Sequence, residues 1–152
     1  MYKRILVPTD GSDTANAGLL EACKLAKEQG SHLRFIHVVD EILGISPQIF
    51  GAPYEDITEG LRKAGGRILA HAESLARKEG LTAETRLVEA IGRPAGELII
   101  SAAEEWPADL IVCGTHGRRG LRRIVMGSDA EYIVRHAPVP ILLIRHDAGN
   151  KP

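Results

Sequence analysis

The residues best suited to binding chemistry form a glycine-rich stretch late in the chain. Gly114 and Gly117 are separated by two residues, and Gly127 follows after nine intervening residues, directly before Ser128. Glycine tolerates a positive φ, and it lets a phosphate approach backbone N–H groups because no Cβ stands in the way. A helix is expected to begin at Gly127-Ser128, where unpaired N–H groups and the helix dipole favour an anion. The spacing therefore predicts an anion-binding loop.

Basic side chains lie inside the same stretch. Four arginines and no acidic residue occur from Arg118 to Arg123, which is the densest positive charge in the chain. Such a cluster can screen the charge of a phosphate. Glycines in loops also often serve only as turns, and most charge runs are simply solvated. Glycine content alone leaves an anion site and a plain surface turn equally open.

A second polar turn follows the first apolar run of the chain. Its residues are Pro8, Thr9 and Asp10, and Ser12 or Asp13 can then cap a helix. Asp10 has two interpretations, a carboxylate that hydrogen-bonds ribose hydroxyls and an N-terminal helix cap stabilised by the dipole. The two roles are compatible.

Five short runs rich in β-branched residues and leucine alternate with amphipathic segments. The predicted strands are 4–7, 33–39, 83–88, 110–113 and 139–144, and the predicted helices follow Ser12, span 57–79, follow Pro94 and follow Ser128. Apolar strands that alternate with helices indicate a parallel sheet covered on both faces. The predicted fold class is α/β, a single-domain three-layer open sheet of five parallel strands in the order 3-2-1-4-5. Residues 40–56 are predicted to be irregular.

The predicted strand order bears on the glycine-rich stretch. Strands one and four are neighbours at the point where the strand order reverses, and ligands of open α/β sheets bind there. The turn at Asp10 and the glycine-rich stretch follow these two strands. Position therefore favours the anion site over the plain turn.

Composition disfavours several classes of protein. The chain has 152 residues, 44% hydrophobic and 26% charged, which suits one soluble globular domain. A formal net charge of -1 gives no long-range attraction to nucleic acid or anionic membrane. The first apolar run is too short for a signal peptide or a membrane span. We expect a cytoplasmic protein with no nucleic-acid or membrane partner.

The cysteines and histidines do not indicate a metal site or a disulfide. Cys23 and Cys113 are far apart among apolar neighbours and are predicted to be buried thiols. His37 and His116 are interpreted as structural or solvent-facing, because no second ligand stands at helical spacing from either. No protein-held metal is expected.

Gly114-x-x-Gly117, nine residues and then Gly127-Ser128 resembles the nucleotide-binding signature of the universal stress protein family. Members of that family also begin with a strand that ends in Pro-x-Asp, and the present chain has Pro8-Thr9-Asp10. The resemblance covers nearly the whole chain, with the domain predicted over 1–147 and a tail at 148–152. It implies an adenine nucleotide alpha hydrolase-like fold. It also implies an ATP-binding module of stress response or signalling with little or no catalysis.

The resemblance further implies which residues bind ATP, with Mg²⁺ or Mn²⁺ carried on its phosphates. The residues facing adenine and ribose would be Pro8, Thr9, Asp10 and Val38. The residues near the phosphates would be Gly114, Gly117, Gly127 and Ser128, with His116 and Arg118 as further members.

The residue after Ser128 is often small or apolar in the nucleotide-binding members of the family, and here it is Asp129. A carboxylate 4 Å from a phosphate charge is repelled by about 1 kcal/mol in water and about 4 kcal/mol at an effective dielectric of 20. The four arginines could offset this repulsion. We expect Asp129 either to point sideways or to help hold the divalent cation.

Pairing with a second copy is also expected. The run from Val139 to Ile144 is apolar and forms the predicted sheet edge, so two copies could pair antiparallel as a homodimer. Two other functions remain open: slow ATP hydrolysis or autophosphorylation involving Asp10, His116 or Ser128, and a dimeric interaction protein that binds no nucleotide. A flavin carrier is disfavoured because its phosphate loop would follow strand one.

Overall fold

The structure is a computed structural model that describes residues 1–40, 53–115 and 126–145. Within these ranges, five β-strands alternate with four α-helices. The strands are β1 (Arg4–Pro8), β2 (His32–Asp40), β3 (Ala83–Ala90), β4 (Leu110–Gly114) and β5 (Ile141–Ile144). The helices are α1 (Asp13–Gln29), α2 (Tyr54–Lys78), α3 (Ala95–Glu105) and α4 (Ser128–His136).

The strands form one parallel sheet in the order β3-β2-β1-β4-β5, which confirms the predicted fold class. β1 is central, because Ile5 is in register with Leu33 of β2 on one side and with Leu110 of β4 on the other. The chain turns to opposite sides of β1 in its two halves. The carboxyl ends of β1 and β4 therefore flank the point where the strand order reverses.

Two apolar layers cover the sheet, because successive side chains of a strand point to opposite faces. Ile5 and Val7 of β1 pack in the layer that contains α1 and α2, whereas Leu6 between them packs in the layer that contains α3 and α4. All three side chains are fully buried. This burial holds the helices of both layers against the sheet.

The starts of α2 and β5 differ from the prediction by more than one residue. α2 begins at Tyr54 rather than at residue 57, because its first turn contains the acidic residues Glu55 and Asp56. These residues favour a helix N-terminus electrostatically but do not contribute to the apolar period on which the prediction was based. β5 begins at Ile141 rather than at Val139, since Pro140 has no N–H for a strand ladder.

The Gly65-Gly66 pair interrupts the apolar period of α2 without interrupting the helix. A Cβ atom at Gly65 would stand 2.7 Å from Leu87 Cδ1 and 2.8 Å from His37 Cδ2. A Cβ atom at Gly66 would meet nothing within 4 Å. Gly65 therefore permits α2 to pack closely on β2 and β3, whereas Gly66 has no such role.

Both cysteines are buried free thiols, as predicted. Burial raises the pKa of the Cys113 thiol to about 11. Burial and the nearby charge of Glu79 raise the pKa of the Cys23 thiol to about 11 as well. Both groups therefore stay protonated near neutral pH.

Helices long and apolar enough to cross a lipid bilayer are absent from the ranges that the structure describes.

Candidate functional site

The carboxyl edges of β1 and β4 bring together the described part of the predicted site. β1 ends at Pro8 and leads into Thr9 and Asp10, and the neighbouring β4 ends at Gly114. Val38 lies near the end of β2 and packs against the layer of α3 and α4. Three predicted site residues, His116, Gly117 and Arg118, lie outside the described residues, as do the other arginines of the cluster.

The turn after β1 is held by its own polar groups. The Ser12 N–H donates to Asp10 Oδ1 over 2.9 Å, and the Gly11 N–H donates to Thr9 Oγ1 over 3.3 Å. Gly11 has a φ of 78°, which glycine adopts without strain. Ser12 caps α1 by accepting from the Ala15 N–H, with the two atoms 3.2 Å apart. The interpretation of Asp10 as the helix cap is therefore wrong, because Asp10 supports the turn that precedes the cap residue.

The main chain of Thr9 is fixed to β2 at both of its polar groups. The Thr9 N–H donates to the Ile36 carbonyl oxygen over 2.9 Å, and the Thr9 carbonyl oxygen lies 2.8 Å from His37 Nδ1. Because a carbonyl oxygen only accepts hydrogen bonds, His37 Nδ1 carries a proton. Thr9 is 5% exposed. This residue therefore has a defined orientation at the start of the candidate site.

Packing, not backbone dihedral angles, requires glycine at position 114. The described glycines with a positive φ are Gly11, Gly30, Gly80 and Gly92. A Cβ atom at Gly114 would stand 2.7 Å from the Cγ2 atom and 2.9 Å from the carbonyl oxygen of Thr14. Glycine at this position therefore lets the first turn of α1 approach the end of β4.

The two ends of the glycine-rich segment are tied together at Thr115. Its N–H donates to the Ile144 carbonyl oxygen over 3.0 Å, and its own carbonyl oxygen accepts from the Gly127 N–H over 2.9 Å. Gly127 is the N-cap residue of α4, where φ is -61° and no side chain caps the helix. The Gly127 N–H is already bonded to Thr115, so it would not donate to a phosphate. Glycine at this position would instead leave room for one, because it has no side chain. The Glu131 N–H donates to the Gly127 carbonyl oxygen over 2.9 Å, so the hydrogen bonds of the helix itself begin at that residue.

Asp129 links the start of α4 to the start of α3. Its Oδ1 atom accepts from the Gly96 N–H over 3.3 Å. The N-cap residue of α3 is Pro94, which offers no side-chain hydrogen bond. A carboxylate from the neighbouring helix therefore supports this helix start. The contact agrees with the first of the two roles expected for Asp129, a side chain turned sideways.

Sequence reasoning missed three residues that shape the site: Thr14, Gly96 and Thr115. Thr115 stands within the glycine-rich signature and is 9% exposed. The sequence signal that could have identified it is a polar residue directly after an apolar strand. Gly96 lies in the first turn of α3, where glycine is a poor helix former. That signal indicates close packing, and a Cβ atom there would stand 2.9 Å from Tyr132 Cβ.

The start of α4 is a position at which the helix dipole favours a negative charge. The helix start at Ser128 has no side-chain cap, and the nearby carboxylate of Asp129 already accepts a backbone hydrogen bond. Groups of three or more His, Cys, Asp or Glu side chains that could hold a metal ion do not occur in residues 1–40, 53–115 and 126–145.

Comparisons with known proteins agree with the observed fold and identify the family. Residues 1–145 match a sequence model of a family described as the universal stress protein family. A universal stress protein of Methanocaldococcus jannaschii is 38% identical over 149 residues, which cover 95% of this chain and 83% of that protein. These similarities confirm the resemblance that the signature residues indicated.

Two solved structures are similar over nearly the whole chain. The universal stress protein UspA from Lactobacillus plantarum has a TM-score of 0.81 and 27% identity, with 95% of this chain and 98% of that chain covered. The universal stress protein from Archaeoglobus fulgidus in complex with dAMP has a TM-score of 0.67 and 28% identity, with 94% of this chain and 98% of that chain covered.

Proposed function

The chain belongs to the universal stress protein family, and on that premise we propose that it binds an adenine nucleotide as a module of stress response or signalling. The nucleotide would lie at the carboxyl edges of β1 and β4. The observation that carries the proposal is the start of α4, which has no capping side chain and lies at the edge where β1 and β4 end. The dAMP complex of the Archaeoglobus fulgidus relative supports an adenine nucleotide as the ligand class.

The phosphates would lie against the first turn of α4. Ser128 would supply its hydroxyl and a first-turn N–H, and the helix dipole would add about 0.3–1 kcal/mol. Gly117 and Gly127 would keep side chains out of the space that the phosphates need. Gly114 would contribute by letting the first turn of α1 lie close to the end of β4, beside that space. His116 and Arg118 would be further phosphate ligands.

Asp129 is the acid that such a site must tolerate. Its carboxylate accepts from the Gly96 N–H, so one oxygen is turned towards α3. Repulsion between like charges falls as their separation grows, so this orientation reduces the effect of the acid on a bound phosphate. The contact therefore supports nucleotide binding in spite of the departure from the family pattern.

The nucleoside would lie at the end of β1. Asp10 would accept hydrogen bonds from the ribose hydroxyls, and Pro8, Thr9 and Val38 would face the adenine. A carboxylate can accept several hydrogen bonds, so the bond from the Ser12 N–H to Asp10 is compatible with a ribose contact.

ATP is the nucleotide that we propose, with Mg²⁺ or Mn²⁺ carried on its phosphates. Mg²⁺ is commonly bound through substrate phosphates and one or two carboxylates, so it needs no dedicated protein cage. We also propose that the protein is cytoplasmic and forms a homodimer through β5.

Isothermal titration calorimetry with ATP, AMP and GTP tests the proposal. We expect ATP and AMP to bind and GTP to bind more weakly. Ser128→Ala should weaken ATP binding by about tenfold or more, because it removes one hydrogen bond to a charged group. Ser74→Ala removes a hydroxyl on the exposed side of α2 and is the matched control, with no expected change.

Asp129→Asn tests, in the same experiment, whether the negative charge of Asp129 weakens ATP binding. The amide oxygen can still accept from Gly96, whereas the negative charge is lost, so ATP should bind more tightly. An absence of ATP and AMP binding by the wild-type protein would contradict the proposed function. Measuring phosphate release in the same samples distinguishes a binding module from a slow ATPase.

A further inference from the structure

His37 lies between the sheet and α2. Side chains alternate along β2, and Phe35 faces the layer of α1 and α2, so His37 two residues later faces the same layer. Its Cδ2 atom is one of those that a Cβ atom at Gly65 would meet, at 2.8 Å. Gly65 therefore provides the space in which the imidazole ring lies.

The ring bonds to the residue that starts the candidate site. His37 Nδ1 is 2.8 Å from the Thr9 carbonyl oxygen, one residue beyond the end of β1. The proton must be on Nδ1, so a neutral His37 is the Nδ1–H tautomer, and its Nε2 atom is an acceptor. Protonation of Nε2 would leave the bond to Thr9 intact.

This bond fixes the peptide group between Thr9 and Asp10. The described peptide bonds include no cis bond, so the carbonyl and the following N–H point in opposite directions. With the Thr9 carbonyl turned towards His37 of β2, the Asp10 N–H is turned towards the β4 side of β1. The imidazole therefore determines how the main chain enters the turn that carries Asp10.

We propose that His37 is a positioning residue of the nucleotide site. Its Nδ1–H holds the Thr9-Asp10 peptide in one orientation before a ligand arrives, and this orientation aims Asp10 at the ribose. Preorganisation of this kind raises affinity because less order has to be imposed on binding. The inference rests on the proposed function, since it concerns the affinity for an adenine nucleotide.

Two substitutions with the same branched arrangement of heavy atoms separate the hydrogen bond from the packing of the ring. His37→Asn provides an amide nitrogen close to the position of Nδ1, and His37→Leu provides a side chain of similar volume with no donor. We expect ATP to bind His37→Asn within about twofold of wild type and His37→Leu about fivefold more weakly, the effect of one hydrogen bond.

His71→Leu, an exposed histidine of α2, is the matched control and should bind as wild type does. The nitrogen NMR shifts of His37 provide a readout that does not depend on binding. They should show a proton on Nδ1.

The outcomes are distinct. Wild type that binds no nucleotide overturns the proposed function, and the positioning role is then overturned with it. If wild type binds, equal affinity of His37→Leu and wild type overturns the inference alone. Equal weakening by His37→Asn and His37→Leu also overturns it, because only the shape of the ring would then matter. A ring protonated on Nε2 alone overturns the hydrogen bond itself.

Discussion

The two edges of the sheet, β3 and β5, differ in their side chains. On β3, Glu84 and Arg86 each form an ion pair with a neighbouring element, and so does Glu89. β5 consists of four half-buried apolar residues, Ile141–Ile144. Charged side chains on an edge strand oppose pairing with another chain, whereas an apolar edge favours it. The comparison indicates that β5 is the edge suited to association and that β3 is protected from it.

The hydrogen bonds of β5 identify the groups that face the open edge. The Ile111 N–H donates to the Pro140 carbonyl oxygen, and the Thr115 N–H donates to the Ile144 carbonyl oxygen, each over 3.0 Å. The N–H and C=O of one strand residue point to the same side, and the side alternates along the strand. Ile141 and Leu143 therefore turn their main-chain groups away from β4, where a second copy would pair with them.

The largest expected effect comes from breaking the open edge. Leu143→Pro removes an outward N–H and leaves the bonds from β5 to β4, so we expect the proposed homodimer to dissociate completely. Leu143→Lys gives β5 the kind of charge that β3 carries and should also favour monomers. Sedimentation velocity at micromolar concentration measures both, with circular dichroism to verify folding. A monomeric wild type would contradict the proposed dimer.

At the opposite edge α2 packs on β3. Substitutions at Gly65 and Gly66 test how close this packing is. Gly65→Ala should destabilise the protein by about 1–2 kcal/mol, because overpacking against Leu87 and His37 outweighs the better helix propensity of alanine. Gly66→Ala is the matched control and should stabilise the protein by about 0.5–1 kcal/mol, since its Cβ meets nothing. Urea denaturation measures both. If both substitutions changed the free energy of unfolding in the same direction, α2 could move away from β3 without a loss of stability.

A smaller effect is expected from Arg34, which joins β2 to β3 and to α3. Its guanidinium pairs with Glu84 and lies 4.5 Å from the centre of the Trp106 ring. Arg34→Ala should lower the stability by about 1 kcal/mol, and Arg34→Lys by less, because lysine keeps the charge near the ring. Trp106 is the single tryptophan of the chain, so its fluorescence reports directly on the loss of its contact with Arg34. An unchanged spectrum in Arg34→Ala would contradict the contact.

The smallest effect is expected at the ion pair of Arg62 and Glu89. The hydrogen bond and charge of Arg62 hold the pKa of the Glu89 carboxyl below its ordinary value. A lowered pKa in the folded state adds stability above the unfolded pKa of about 4.3, and this stability is lost as the pH falls through the folded value.

Glu89→Gln should therefore reduce the loss of stability on acidification below about pH 4. Thermal unfolding followed from neutral to acidic pH tests the change. Glu104→Gln, at an exposed site of α3, is the control. Equal curves for Glu89→Gln and wild type would show that the pair adds no measurable stability.

The strands and their order could be predicted because neighbouring residues encode them. Ile5, Leu6 and Val7 are all apolar, which indicates burial on both faces, and parallel order follows from the alternation with helices. The start of α2 could not be predicted from the same pattern, because Glu55 and Asp56 carry no apolar period. The spacing of apolar residues does not predict a helix start that depends on charged residues.

The contacts of the candidate site could be predicted only in part. Strand ends located the turn at Asp10 and the start of α4 correctly. The bond between Asp129 and Gly96 joins residues 33 positions apart and depends on how α3 and α4 pack. The bond between His37 and Thr9 depends in the same way on the register of β1 and β2. Such pairs are set by distances between elements, which a local pattern does not contain.

Thr115 has a consequence for how this scaffold can vary. One residue ties β4 to β5 through its N–H and to the beginning of α4 through its carbonyl group. Thr115 therefore binds both the neighbouring strand and Gly127, the residue at the other end of the glycine-rich segment. The entropy of closing a segment between fixed ends rises only slowly with its length. Residues inserted or exchanged between Thr115 and Gly127 are therefore expected to alter ligand preference while the framework stays unchanged, so recognition and architecture can evolve separately.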